Sequence, residues 1–239
     1  MRDLAPKLLE KLKKADLQTK IKIAQALLEN LNKKQVLLYF EEKGLQDLVE
    51  EYNWGGRLNS YPYDYIAVYN TNLNGRKSSL SIKRELALYS HIFSSGLVKN
   101  RLELTFSHEG EWKELNGGFI EGDVEDLVEV VLPKGVMLKR VLKGKEEFTD
   151  QIKESSEGDK TIFFFKFHFN PGEKMHFVFE YTLPQLVQKK WGVLFQKQPG
   201  QKATKFLYQI ESDKPIKKLG EGIGDWQSLD LDREFVLEF

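Results

Sequence analysis

The chain has 239 residues, 41% of them hydrophobic and 12% aromatic, which suffices for one large globular domain or two small ones. Its 36 basic and 36 acidic residues give a formal net charge of zero, so it lacks the basic bias of a general nucleic-acid binder or a peripheral membrane protein. The absence of cysteine excludes disulfides, zinc–thiolate sites, iron–sulfur clusters and cysteine nucleophiles.

The first 57 residues are predicted to be mainly helical. Apolar residues recur at helical spacing in "DLAPKLLEKLKKA", "LQTKIKIAQALLENL" and "KGLQDLVEEYNW", with Asp3 as a candidate N-cap. Between the second and third patterns, the apolar run Val36–Phe40 predicts one short strand. No stretch approaches the roughly 20 apolar residues of a membrane span, and the amino terminus lacks the apolar core of a signal peptide. We therefore predict a helical lead-in over residues 1–57, whose amphipathic helices need a partner surface.

From residue 58 onward the apolar period changes to two, which is typical of strands. Regularly spaced alternating segments without helical patterns between them predict an antiparallel β-sandwich over residues 58–239, immunoglobulin-like or jelly-roll-like. Three strand pairs are predicted, the second and third of them as hairpins. They are "YDYIAVYN" with "LSIKRELAL", "TIFFFKFHF" with "MHFVFEYTL" across the Asn170–Glu173 turn, and "WGVLFQKQPG" with "TKFLYQIES".

The stretch Asn70-Thr-Asn72-Leu-Asn74-Gly75 matches the front half of a calcium-binding loop. The match fails further on, because the loop contains two basic residues and has a serine where the template needs a bidentate glutamate. Asn and Gly also favour tight connections between strands, and we predict that role here.

Other groups of residues do not predict a specific functional site from the sequence. The tryptophans and the tyrosines of residues 61–69 could form a sugar-stacking platform, but aromatic residues on strands more often pack in a core. The four histidines and the many carboxylates show no recognisable spacing for catalysis or metal binding. We therefore predict no catalytic residue, no metal site and no cofactor.

Two segments together resemble the carboxy-terminal part of the bacterial DUF4012 family. These are "NKKQVLLYFEEKGLQDLVEEYNWGGRL" and "YDYIAVYNTNLNGRKSSLSIKREL". The matching positions are Tyr39, Phe40, Leu45, Gln46, Trp54, Gly55, Asp64, Tyr65, Asn72, Leu73, Gly75, Lys77, Ser78, Ile82, Lys83 and Arg84. The resemblance covers most of the chain, and later segments such as "NPGEKMHFVFEYTLP" also look like the family's terminal β region.

The resemblance implies an extracytoplasmic, membrane-anchored parent protein, of which this chain would be a carboxy-terminal fragment without the anchor. The opening helices would then be the tail of an upstream domain. That upstream region looks distantly like the LytR–CpsA–Psr fold, whose enzymes join glycopolymers to the cell wall, and its chemical motifs do not occur here.

Two functions are consistent with this resemblance. One is a non-catalytic module that binds or scaffolds at the cell envelope, on a cell-wall glycopolymer or on another envelope protein. The alternative is part of an enzyme acting on cell-wall glycopolymers, with its catalytic residues upstream. The motif residues Asn72, Gly75, Lys77 and Arg84 are the candidate binding positions. We further predict structural roles for Lys77 and Arg84, with Asp64 as the partner of Arg84, since a cation on an apolar strand face needs a counter-charge.

Overall fold

A computed structural model describes residues 4–115 and 117–239, so the candidate N-cap Asp3 lies outside the described residues. The chain divides into two compact units. The first comprises residues 1–57 with 199–201, and the second comprises residues 58–198 with 202–239.

Three helices make up most of the described part of the first unit: α1 (Leu4–Lys14), α2 (Leu17–Asn32) and α3 (Lys43–Glu51). Helix α2 begins where the Asp16 carboxylate accepts the backbone N–H of Thr19 at 2.7 Å. Helix α3 begins in the same way, with Glu42 accepting two backbone N–H groups at 2.8 Å. None of the helices in the described residues is long and apolar enough to cross a membrane.

The apolar faces predicted for these helices are largely exposed to solvent. Leu8 and Leu28, for example, keep 57% and 48% of their surface accessible. Among the described residues of this unit, Leu31 and Val49 are the buried apolar side chains. The helical prediction for this unit is therefore confirmed, whereas little of its apolar surface is buried.

The predicted strand Val36–Phe40 is wrong. The segment is irregular, and the Leu38 N–H donates to the Trp54 carbonyl at 3.1 Å instead of to a strand ladder. The Leu37 side chain lies close to Gly56 in the chain that leaves α3, where Asn53 and Gly56 take positive φ values. A short apolar run cannot by itself distinguish a strand from a packed loop.

The second unit is mainly β, with two large sheets in a sandwich-like arrangement, which confirms the predicted fold class. The strands are β1 (Asp64–Asn72), β2 (Ile82–Ile92), β3 (Val98–His108), β4 (Lys113–Leu115), β5 (Gly118–Glu121), β6 (Val124–Pro133), β7 (Met137–Lys143), β8 (Glu146–Glu147), β9 (Lys153–Glu157), β10 (Lys160–Phe169), β11 (Lys174–Thr182), β12 (Lys190–Gln196), β13 (Thr204–Ser212), β14 (Gln227–Leu229) and β15 (Arg233–Glu238). Short 3₁₀ helices cover Lys77–Ser81 and Thr149–Gln151.

The six-stranded sheet has the order β15-β12-β1-β6-β10-β9, and the seven-stranded sheet has the order β14-β13-β2-β3-β11-β7-β8. Strands β4 and β5 form a separate two-stranded sheet. Within the confirmed class, both large sheets are mixed, because β1 pairs with β12 and β2 pairs with β13 in parallel. Each parallel pair joins an early strand of the chain to a late one.

The three predicted strand pairs, two of them hairpins, are corrected by the sheet order, since the two strands of each pair belong to different sheets. Strands β10 and β11 illustrate the reason. Phe165 on β10 faces Phe177 on β11 across the sandwich, with ring centroids 4.7 Å apart. Two successive strands with alternating apolar residues can bury those residues equally well in two stacked sheets or as neighbours in one sheet.

The core lies between the two sheets and is rich in phenylalanine. Strand β3 shows the pattern clearly, because its even-numbered residues from Val98 to His108 are buried while its odd-numbered residues are exposed or half-buried. The exposed face of the seven-stranded sheet therefore carries the odd-numbered side chains of β3 and their neighbours on adjacent strands.

Candidate functional site

The family-motif residues Asn72, Gly75 and Lys77 lie in and beside the loop between β1 and β2. The Asn72 side chain accepts the Gly75 N–H at 3.0 Å and donates to the Arg76 carbonyl at 2.9 Å and to Ser79 Oγ at 2.6 Å. Gly75 has φ +72°, a left-handed conformation that glycine adopts without steric cost. Lys77 is exposed at the first residue of the 3₁₀ helix.

The side chains that suggested a calcium loop are hydrogen-bonded to their own surroundings. Asn70 Nδ2 donates to Asp126 at 3.3 Å, and Asn74 Nδ2 donates to the Asp123 carbonyl at 3.0 Å. Arg76 forms an ion pair with Asp123, which places a cation inside the loop. Among residues 4–115 and 117–239, no three His, Asp or Glu side chains come together as metal ligands.

Arg84 belongs to a polar cluster inside the sandwich, with Asp126 and Asn70. Burial lowers the pKa of Arg84, and the Asp126 carboxylate opposes that shift. Burial also raises the pKa of Asp126, while Arg84 and Asn70 lower it. The expected partner Asp64 is wrong. Asp64 begins β1, whereas Asp126 pairs with Asn72 at the other end of that strand, and Asp126 is the carboxylate that acts on the Arg84 charge.

Asp64 is fully buried in a second polar cluster. Asn100 Nδ2 donates to one carboxylate oxygen at 2.7 Å, and the other oxygen lacks a hydrogen bond of normal geometry within the described chain. Burial raises the pKa of Asp64 to about 7, and the Asn100 side chain and the Tyr65 backbone partly offset this rise. The hydroxyls of Tyr181 and Tyr208 lie near this carboxylate, and burial raises the pKa of both.

A cavity of about 990 Å³ is formed mainly at the seven-stranded sheet, and one wall comes from the segment between β13 and β14. One row of cross-strand neighbours contributes four hydrogen-bonding side chains to it: Gln209 on β13, Tyr89 on β2, Arg101 on β3 and Glu180 on β11. These four residues alternate with core-facing neighbours on each strand, so they project from the exposed face.

Several polar and charged groups along this cavity already contact one another or a neighbour. Arg101 contacts Glu103 at 2.7 Å and Glu180 at 3.4 Å, while His91 Nε2 lies 3.1 Å from Asp213. All of these groups except Asp213 line the cavity. The opposite wall is apolar and includes Ile216, Leu219 and Ile223. The cavity therefore offers donors and acceptors on one side and a hydrophobic surface on the other.

The histidine that is most buried, His108, is held by backbone atoms on both ring nitrogens. Its Nδ1 accepts the Gly110 N–H at 3.1 Å and its Nε2 lies 2.6 Å from the Gly122 carbonyl. The ring is therefore the Nε2–H tautomer, which joins the end of β3 to the chain that follows β5. This arrangement fixes the loop and leaves neither nitrogen available for proton transfer.

The sequence interpretation missed the residues of the cavity. The alternating pattern places Tyr89, Arg101, Glu180 and Gln209 on exposed strand faces, but it does not say which strands are neighbours. The parallel pairing of β2 with β13 brings Gln209 beside Tyr89, and no local signal marks that pairing. The aromatic platform considered above does not form as one surface, since Trp191 is 1% exposed in the core.

The sequence matches no protein-family model and no curated protein. Among solved structures, the chain is similar to an M1 zinc metallopeptidase from Deinococcus radiodurans, with a TM-score of 0.33 and 10% identity. That match covers 66% of this chain and 42% of the metallopeptidase, so this chain spans less than half of that protein's length. It is also similar to a protein from Legionella pneumophila provisionally described as nutrient-binding, with a TM-score of 0.38 and 11% identity over 74% of this chain and 67% of that one.

Proposed function

We propose that the second unit is a non-catalytic β-sandwich module that binds at the bacterial cell envelope, with the cavity on its seven-stranded sheet as the ligand site. The ligand we propose is a cell-wall glycopolymer. The single observation that carries the proposal is the cavity itself, whose about 990 Å³ combine a polar row with an apolar wall.

The chemistry of a sugar chain suits this combination. Each hydroxyl both donates and accepts hydrogen bonds, and the row supplies donors from Arg101, acceptors from Glu180 and both from Gln209. The C–H faces of a sugar ring pack against aromatic or aliphatic surfaces, which Tyr89 and Leu219 offer. Because the charges of this row are already paired, the ligand need not carry a net charge.

Binding to purified cell-wall glycopolymer, measured with the full chain by pull-down and by glycan array, tests the proposal. We expect R101A and Q209A each to weaken binding about tenfold, the effect of losing about 1.4 kcal/mol of hydrogen bonding. The matched control E154Q changes an exposed residue of β9, away from the cavity, and should leave binding unchanged. Binding that is absent, or that is unaffected by both cavity variants, would overturn the proposal.

The rival hypothesis of an enzyme part places the catalytic residues upstream of this chain, so it is tested with a parent protein that contains both regions. Such an enzyme would convert the glycopolymer and release products with time, whereas a binding module would retain it unchanged. Product formation by the parent protein that is lost in R101A would favour the rival.

A further inference from the structure

The interior row directly behind the cavity is unusually polar for the centre of a sandwich. Ser90 on β2, Asn100 on β3 and Tyr181 on β11 are neighbours across three strands, and all three are at most 3% exposed. The same three residues contribute to the lining of the cavity. This row therefore forms the partition between the cavity and the interior of the protein.

Asp64 meets this partition from the opposite sheet. Its hydrogen bond with Asn100, at 2.7 Å, joins β1 of the six-stranded sheet to β3 of the seven-stranded sheet. Such a contact ties the two sheets together at this end. The bond itself is stronger to an ionised carboxylate, but the cost of burying that charge is larger than the gain from the bond.

The groups that face Asp64 supply no compensating positive charge. They are the Asn100 amide on β3, the phenols of Tyr181 on β11 and Tyr208 on β13, and the phenol of Tyr61 before β1. Within the described residues, Asp64 forms no salt bridge, and its pKa is set by burial, by Asn100 and by the Tyr65 backbone. An ionised carboxylate at this position is therefore a buried charge without a cation, which is costly.

We propose that Asp64 is a pH-responsive brace between the two sheets: when protonated it holds the sandwich closed behind the cavity, and when ionised it loosens that end. This role of Asp64 concerns the cohesion of the two sheets and does not depend on the ligand proposed above.

The sign of the effect follows from proton binding. The folded state holds the Asp64 proton up to about pH 7, while the unfolded chain releases it near the ordinary aspartate pKa of 3.8. The folded state thus binds more protons between these values, so stability is greatest below this window and falls as pH rises through it. Above the window, the contribution of Asp64 no longer changes with pH.

Urea denaturation of the wild type and D64N between pH 5 and 8 tests the brace. Relative to D64N, the wild-type folding equilibrium constant should fall about tenfold per pH unit between about pH 5 and 7. The control E154Q, which changes an exposed carboxylate on β9, should show the same pH profile as the wild type. Parallel pH profiles for the wild type and D64N would overturn the proposal.

Two further measurements locate the effect and do not depend on each other. A ¹³C NMR titration of the Asp64 carboxyl in the wild type, which needs no variant, should give a midpoint near 7, and a midpoint below about 5 would overturn the brace. Amide hydrogen exchange at pH 8 should be faster in the wild type than in D64N around Asn100 and Tyr181, with β9 unchanged. An equal difference at all three places would contradict local loosening.

Discussion

The interior of the sandwich contains two buried carboxylates, and their surroundings differ. Asp126 faces the guanidinium of Arg84 and the amide of Asn70, whereas Asp64 has the amide of Asn100 and no cation. At the first place the Arg84 charge and the Asn70 amide offset part of the rise in pKa that burial causes at Asp126. At the second, burial without a cation favours the neutral acid. The same residue type therefore has a counter-charge at one end of the core and none at the other.

The largest effect is expected from removing the cation that faces Asp126. R84L leaves Asp126 buried without its cation and should lower the free energy of unfolding by about 3 kcal/mol. Urea denaturation at pH 7 measures this loss. Adding D126N should recover most of it, and K83L, at the exposed neighbouring position, should cost far less. Undiminished stability in R84L would show that the cluster does not depend on Arg84.

Removing the hydrogen bond between Asn100 and Asp64 should have a weaker effect on stability, and this effect should depend on pH. N100A removes the hydrogen bond to Asp64 and should cost about 1 to 3 kcal/mol, with the larger loss above pH 7, where the carboxylate is charged. Denaturation at pH 5 and pH 8 measures the difference. K99A, the adjacent exposed residue, is the control, and an equal loss at both pH values would argue against a titrating Asp64.

The loop between β1 and β2 offers a third comparison. A side chain at Gly75 would meet nothing within 4 Å, so the cost of G75A comes only from its φ of +72° and should be about 1 kcal/mol. G75N should cost less, because asparagine tolerates this conformation better. Thermal unfolding measures both variants, and a neutral G75A would mean that the loop does not require the left-handed backbone.

The smallest effect is expected at Lys77, for which the sequence suggested a structural role. The residue is exposed, so K77A should change the free energy of unfolding by no more than about 0.5 kcal/mol. A larger loss, measured by urea denaturation, would support the structural role after all.

The sequence predicts strands well here because their apolar period is clear, as in β3 and β10. It does not predict which strands pair. The Phe165 and Phe177 faces look the same whether their strands form a hairpin or stack across two sheets, and only the sheet order distinguishes the two. The Asn/Gly loop was predictable as a turn, because its chemistry is local.

The cavity and the two buried clusters were not predictable for a related reason. Arg84 clearly needs a counter-charge, but Asp64 and Asp126 are equivalent candidates in sequence, and only register places Asp126 near it. Likewise, Gln209 reaches the cavity through a parallel pairing with β2 that no local pattern marks. Contacts made over long stretches of chain decide the site, whereas local patterns decide the elements.

The two parallel pairings also bear on how the unit folds. Strands β12 and β13 pair with β1 and β2, so neither sheet is complete until these late strands pair with the early ones. Contacts between residues so distant in sequence carry a large loop-closure cost and are associated with slow folding. During synthesis, β1 and β2 must therefore wait with one edge unpaired until nearly the whole domain has been made.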